Sequence, residues 1–280
     1  MIRESLNERR YKGERLVPYL GIDATGPSLH VGHLIPLLAI REFEAPYILV
    51  GTETAKIGDP TGKTEQRSKL SDETVSANRA NIVAQVKNLI PSAVIVKNAQ
   101  FSLDEVSDFI SINRLVKYEI FKNRMSDKDN LSLSEFLYPI RQAYDFLALH
   151  REYGVNLQIG GSDQYTNILA GIDLIRNMDK ADVFGKTTHI LSAKSGRKIS
   201  KTEGGAVYLN DDAFNIWQFF RNIRDEDISV FGHEIPEEVK DINAKKIEIA
   251  TTMTTWCCGK EEAKECADKA RELYSSKTPE

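Results

Sequence analysis

The sequence has little cysteine. Three occur, Cys257, Cys258 and Cys266, and all lie late in the chain. An odd, clustered set without a Cys-x-x-Cys pair argues against a disulfide framework and against a zinc site. Reduced thiols in a cytoplasmic protein are the expectation. Long apolar runs are also missing: nowhere are there the ~18 consecutive apolar residues that a membrane helix needs. The opening Met1-Ile2-Arg3-Glu4-Ser5 lacks the apolar core of a signal peptide. No membrane partner is therefore expected. An excess of positive charge is the third absence. The formal net charge is -4, so any contact with nucleic acid must rest on a local patch and not on a whole-surface field. What remains is ordinary globular material, 41% hydrophobic and 28% charged, enough for a substantial core. A length of 280 residues allows a catalytic domain with a smaller attachment.

Short apolar runs alternate with helical patterns. Val17–Ile22, Tyr47–Val50, Ala93–Val96 and Leu157–Ile159 read as strands. His33–Glu42, Ser71–Leu89, Glu135–Tyr153 and Tyr165–Met178 read as helices. This alternation predicts an α/β fold, a Rossmann-like parallel sheet with helices on both faces. Ligands of such sheets bind beyond the carboxyl ends of the strands, so the loops after Ile22, Val50 and Ile159 are where chemistry is expected. From Asp211 onward charged helical segments dominate. The reading is a catalytic domain over residues 1–210 and a small helical domain over 211–280.

Four loops carry candidate chemistry. Gly21-Ile22-Asp23-Ala24-Thr25-Gly26-Pro27-Ser28-Leu29-His30-Val31-Gly32-His33 follows the first strand and opens a helix that Ser28 can cap. His30 and His33 share a helical face, Gly32 leaves room for a flat group, and a helix start favours anions. A nucleotide suits this loop; a capped helix with two half-buried histidines suits it as well. Two histidines without a nearby third ligand make a metal site the weaker reading. Gly58-Asp59-Pro60-Thr61-Gly62-Lys63 is not a P-loop. It has three residues before Gly-Lys where a P-loop has four, and Asp59 and Pro60 stand where phosphate wants N–H donors. It is either a polar surface turn or a loop offering Lys63 and Arg67 to a polyphosphate, with Asp59 free to face an ammonium.

Tyr138, Gln142 and Asp145 follow i, i+4, i+7 spacing and share one face of a helix, with Pro139 best placed at the first helical position and Tyr138 just outside, or else kinking the helix. Such a stripe faces solvent unless it is hydrogen-bonded inside. Gly160 and Gly161 permit close backbone approach, and Asp163 is either a ribose acceptor or an N-cap. Finally, Lys198-Ile199-Ser200-Lys201-Thr202 is a basic loop suited to a leaving pyrophosphate, or a solvated turn.

The order of these pieces carries more than any one of them. His30-Val31-Gly32-His33 and Lys198-Ile199-Ser200-Lys201-Thr202 resemble the two motifs of class I aminoacyl-tRNA synthetases. The Gly-Asp-Pro-Thr-Gly-Lys, Gln-Ala-Tyr-Asp-Phe-Leu and Gln-Ile-Gly-Gly-Ser-Asp-Gln segments between them are similar to bacterial-type tyrosyl-tRNA synthetases, from about Glu14 to Leu209. The resemblance implies that Tyr19 and Asp145 grip the hydroxyl of L-tyrosine. Asp59, Tyr138 and Gln142 would hold its ammonium, with Gln164 near the carboxylate. Gly21, Asp23, Gly32, His33, Gly161 and Asp163 would line the adenosine end of ATP. Thr25 and His30 would meet the γ-phosphate, and Lys63, Arg67, Lys198, Lys201 and Thr202 would clamp pyrophosphate. Mg2+ would accompany ATP without a dedicated protein site.

The same resemblance implies tRNA(Tyr) as acceptor, an anticodon-binding-like role for the helical domain, and a homodimer through an inserted region at about 100–140. There are departures. Leu20 stands where many relatives carry cysteine, Pro36 where a small polar residue is common, and Tyr165-Thr166 where Trp-Gly is frequent. The connections at Glu44-Ala45-Pro46 and Ser229 to Glu234 are short. Relatives usually continue into a separate RNA-binding domain, to which the match does not extend. Three other readings stay open: a tryptophan-specific relative, a paralogue that makes the adenylate for another acceptor, and a non-catalytic binding paralogue.

Overall fold

The computed structural model describes residues 15–60, 70–118, 121–122, 125, 131–191, 207–233, 235 and 238–275. They fall into two units, one from Met1–Pro27 and Pro36–Thr188 and one from Ser28–Ile35 and His189–Glu280.

The first unit is built on a five-stranded sheet in the order β3-β2-β1-β4-β5, with every pairing parallel. The strands are β1 Pro18–Asp23, β2 Tyr47–Gly51, β3 Val94–Val96, β4 Leu157–Gly161 and β5 Phe184–Thr188. Strands β1, β2 and β4 are mostly buried along their length. That is why they read as continuous apolar runs and not as alternating ones. The fifth strand, Phe-Gly-Lys-Thr-Thr, is not legible in the sequence because it is an edge strand, buried only at Gly185. There Ile168 leaves no room for a Cβ.

Strand order grows outward from β1 through β2 to β3, then reverses to β4 and β5. Asp23, at the end of β1, and Gly161, at the end of β4, therefore flank the crevice where doubly wound sheets bind their ligands.

The helices of this unit are α1 Leu34–Ile40, α2 Glu53–Ile57, α3 Asp72–Leu89, α4 Leu103–Val106, α5 Ile112–Leu115, α6 Leu133–Phe136, α7 Tyr138–Tyr153 and α8 Tyr165–Asp179; α1 begins within the 28–35 segment of the second unit. Their ends follow local chemistry. The Ser71 hydroxyl accepts from Thr74 N–H to start α3, with Asp72 and Glu73 complementing the helix dipole in its first turn. Gly154, at φ 68°, closes α7 in a left-handed conformation.

The single helix predicted over Glu135–Tyr153 is instead two, α6 and α7, meeting at Leu137. Pro139 has no N–H to give the Glu135 carbonyl, and its ring crowds that carbonyl. A capping box between Ser132 and Glu135 then holds α6 as a separate turn. Helices α7 and α8 pack Ile140, Phe146, Leu147, Ile168, Ile172 and Ile175 into one core with Tyr19 and Leu49.

In the second unit, residues 29–31 run antiparallel to 207–209. Val31 N–H donates to Val207 O (2.9 Å) and Leu209 N–H to Leu29 O (2.8 Å). This pairing holds the chain extended through His30, so helical turns begin only at Val31. Ser28 is consequently not the cap: its hydroxyl donates to Leu29 O, and the His30 imidazole caps the turn. The described residues of the unit also form the helices α9 Ala213–Arg221, α10 Val239–Cys258 and α11 Lys260–Ser275. Ile216, Trp217, Phe220, Ile249, Met253, Ala263 and Cys266 are buried there. All three cysteines are unbonded.

Candidate active site

At the carboxyl end of the sheet in the first unit, a chain of hydrogen bonds joins residues from four separate segments. The Asp145 carboxylate, on α7, accepts from Asn98 Nδ2 at Oδ2 and from Ala99 N–H at Oδ1, both at 2.7 Å. Asn98 Nδ2 also donates to Thr54 Oγ1 (3.2 Å). Thr54 donates to Asp23 Oδ1 (2.5 Å), and Tyr138 donates to Asp23 Oδ2 (2.7 Å). Gly51 makes this junction possible. A Cβ there would run into Thr54 and would come within 2.6 Å of Asp23 Oδ1.

Asn98 has a second task. Its Oδ1 accepts from Thr52 N–H (2.8 Å) and Glu53 N–H (3.1 Å), capping α2 from a distant segment where Thr52 supplies no side-chain cap. Neither Asn98 nor Thr54 stands out in the sequence. A single asparagine after a strand and a single threonine in a five-residue helix have no motif around them, and only the fold brings them to Asp145 and Asp23.

The electrostatics of this chain are unusual. Burial pushes the Asp145 carboxyl from its ordinary 3.8 up to about 7, opposed by the hydrogen bonds from Asn98 and Ala99. Tyr19 is 1% exposed, and its ring packs on Phe146 with centroids 5.1 Å apart. Burial, and then the nearby Asp145 charge, raise the Tyr19 phenol well above its ordinary range. The Tyr19 hydroxyl makes no hydrogen bond to any described residue. A buried hydroxyl without a partner costs about 1–3 kcal/mol, and no described residue supplies the polar group that would offset it.

A second network runs beside the first. Gln164 Nε2 donates to Asp59 Oδ2 (2.6 Å). Gln164 Oε1 accepts from Gln142 Nε2 (3.2 Å) and from Asn167 Nδ2 (3.0 Å). Tyr138, Gln142 and Asp145 therefore do form one inward-facing polar stripe on α7. Gly160 lets β4 pass closely over this region, since a Cβ there would lie 3.0 Å from Gln164 Cβ. Asp163 lies in the turn between Gly161 and α8 and is not the cap of α8, a position that Gln164 holds. Gly21 is open on its side-chain side, with nothing within 4 Å of where a Cβ would stand. Thr25 follows directly, its N–H bonded to Asp23 O (2.8 Å).

In the second unit, His30 and His33 hold each other. His30 N–H donates to His33 Nδ1 (3.1 Å), and Gly32 N–H donates to His30 Nδ1 (3.1 Å). A backbone N–H can only donate, so both rings are neutral and carry their proton on Nε2. Burial, and then the neighbouring His30, lower the His33 pKa well below its ordinary value. The flat group lying against Gly32 is the His30 ring itself, whose Cε1 would be 2.9 Å from a Cβ. Lys63, Arg67, Lys198, Lys201 and Thr202 lie outside the described residues. Among the described residues, no three His, Cys, Asp or Glu side chains gather as a metal site would require. No described helix is long and apolar enough to cross a membrane.

A parallel doubly wound sheet with a built polar crevice at its switch point defines a nucleotide-handling class of fold. The comparisons narrow it. Residues 11–275 match the family of class I tRNA synthetases for tryptophan and tyrosine, and the chain belongs to that family. It is 36% identical over 307 residues to the tyrosine–tRNA ligase of Wolbachia sp. subsp. Brugia malayi, covering 98% of this chain and 74% of that protein. It is 38% identical over 288 residues to the tyrosine–tRNA ligase of Paracoccus denitrificans, covering 91% of this chain and 69% of that one. Among solved structures, a C-terminally truncated mitochondrial tyrosyl-tRNA synthetase from Aspergillus nidulans superposes with a TM-score of 0.81 at 25% identity, covering 96% of this chain and 89% of that one.

Proposed function

We propose that the chain activates L-tyrosine with ATP and transfers the tyrosyl group to tRNA(Tyr). The observation that carries the choice of tyrosine is the buried, unsatisfied Tyr19 hydroxyl beside the Asp145 carboxylate. A phenol donates to Asp145 and accepts from Tyr19; tryptophan offers no hydroxyl at that depth. Asp59, Tyr138 and Gln142 receive the ammonium and Gln164 lies near the carboxylate. Gly21, Asp23, Gly32, His33, Gly161 and Asp163 take the adenosine, and the Nε2–H donors of His30 and His33 suit phosphate and ribose oxygens. Thr25 joins His30 at the γ-phosphate. Lys63, Arg67, Lys198, Lys201 and Thr202 neutralise pyrophosphate.

The substrate carboxylate oxygen attacks the α-phosphorus in line. A new P–O bond forms, the bond to the bridging β-oxygen breaks, and pyrophosphate leaves with the electron pair. A ribose hydroxyl at the end of tRNA then attacks the acyl carbon and displaces AMP. No protein nucleophile is needed, so positioning and charge stabilisation supply the acceleration. Mg2+ arrives with ATP as part of that substrate.

A homodimer and a cytoplasmic location belong to the same proposal. For the first, Leu103, Phe109, Ile112 and Leu133 expose large apolar side chains along one stretch of the first unit. The test of the function is tyrosine-dependent exchange of labelled pyrophosphate into ATP, run beside charging of bulk tRNA. Exchange with charging is the expected result. Exchange alone would favour another acceptor, and neither, in folded protein, would leave a binding paralogue.

A further inference from the structure

Asn167 belongs to none of the motifs, yet it is 3% exposed and sits in the first turn of α8 at the centre of the amide network. Its Nδ2 donates to Gln164 Oε1 (3.0 Å) and to Gln142 Oε1 (3.2 Å). The direction of every bond in that network follows from Asp59. A carboxylate only accepts, so Gln164 must turn Nε2 toward it. Gln164 Oε1 then faces the other way and takes Nε2 of Gln142 and Nδ2 of Asn167. Gln142 is left with its carbonyl oxygen toward Asn167.

We infer that Asn167 is a positioning residue for the substrate ammonium, fixing the Gln142 and Gln164 amides so that Gln142 Oε1 keeps a lone pair for that cation. The inference rests on the proposed reading of the site as an amino-acid pocket. The two ends of a glutamine amide have nearly the same shape, so only hydrogen-bond partners choose between its orientations. An ammonium brings three donors and needs acceptors. Without the Asn167 donor, the Gln142 amide is held only at its Nε2 end, by Gln164 Oε1, and Gln142 Oε1 loses the partner that fixes its direction toward the cation. The Asp59 carboxylate alone does not prevent this, because it reaches Gln142 only through Gln164.

The test is direct binding to the full chain by titration calorimetry, with pyrophosphate exchange alongside. The ligands are L-tyrosine, tyrosinol (ammonium but no carboxylate), 3-(4-hydroxyphenyl)propionate (carboxylate but no ammonium) and ATP. In Asn167→Leu, which keeps the volume and removes the donors, tyrosine and tyrosinol should bind about tenfold more weakly, the scale of one lost buried hydrogen bond. The ammonium-free acid and ATP should change by less than about twofold on the same scale. Asn167→Ala carries the same readouts should the leucine variant not fold. Parallel weakening of the ammonium-free acid, or unchanged tyrosine binding, would overturn the inference alone. Failure of the unaltered protein to bind tyrosine at all would instead overturn the proposed function beneath it.

Discussion

In the proposed reading Tyr19 trades stability for recognition, and that trade is measurable. Its hydroxyl is buried without a partner, so Tyr19→Phe removes an unsatisfied group from the unliganded protein. The variant should unfold at the same denaturant concentration or a higher one, with a gain of up to about 1 kcal/mol. Tyrosine should at the same time bind roughly tenfold more weakly. A variant both less stable and unchanged in tyrosine affinity would show that the hydroxyl serves packing.

Asp145 gives a pH signature. Its carboxyl titrates near 7 in the folded chain against an ordinary 3.8. The folded state therefore holds the proton more tightly, and the Asp145 contribution to stability falls as pH rises from about 4 to about 7, then levels off. Binding runs the other way. A phenol donor needs the ionised acceptor, so tyrosine affinity should rise through pH 7 and then flatten. Asp145→Asn should abolish that rise, and a rise of the same size in the variant would assign the titration elsewhere. Tyr19 and Asp145 were both legible in the sequence through the family pattern. The raised pKa was not, because it comes from burial, which only the fold creates, and is opposed by hydrogen bonds from Asn98 and Ala99, which lie far from Asp145 along the chain.

At the scale of elements, the same contrast between local pattern and tertiary placement holds. Strands β1, β2 and β4 and helices α3 and α8 announced themselves, since each buries a long apolar run or stripe. The edge strand β5 did not, because one polar, half-exposed strand has no periodicity to read. Nor did α2, a five-residue helix too short to nucleate alone. It is held by Asn98, whose carbonyl oxygen accepts from the N–H groups of Thr52, just before it, and of Glu53, its first residue. Asn98→Ala should therefore cost about 1–2 kcal/mol of stability through the lost cap. It should also move the Asp145 titration further upward, since the Asn98 hydrogen bond is what holds that carboxyl down. The midpoint of the pH dependence of tyrosine binding reads the second effect. A midpoint left in place, despite a lower melting temperature, would separate the capping of α2 from any influence on Asp145.

For the whole molecule, the open question is how many copies act together, and the surface makes a definite forecast. Leu103 is 42% exposed, Phe109 41%, Ile112 67% and Leu133 70%. These four large apolar side chains lie between residues 103 and 133, and apolar side chains of this kind become useful when a partner covers them. Because every copy carries the same stretch, a two-fold pairing buries it on both sides at once. The chain should sediment at twice its 31.5 kDa mass at micromolar concentration. Replacing Phe109 and Ile112 together by glutamate places like charges opposite each other across such an interface and should leave monomers. Neither residue takes part in the hydrogen-bond networks around Asp23 and Asp59, so tyrosine binding per chain should survive in the variant if each copy holds a complete amino-acid pocket. Sedimentation of the unaltered chain as a monomer across that range would remove the dimer from the proposal while leaving the amino-acid chemistry untouched.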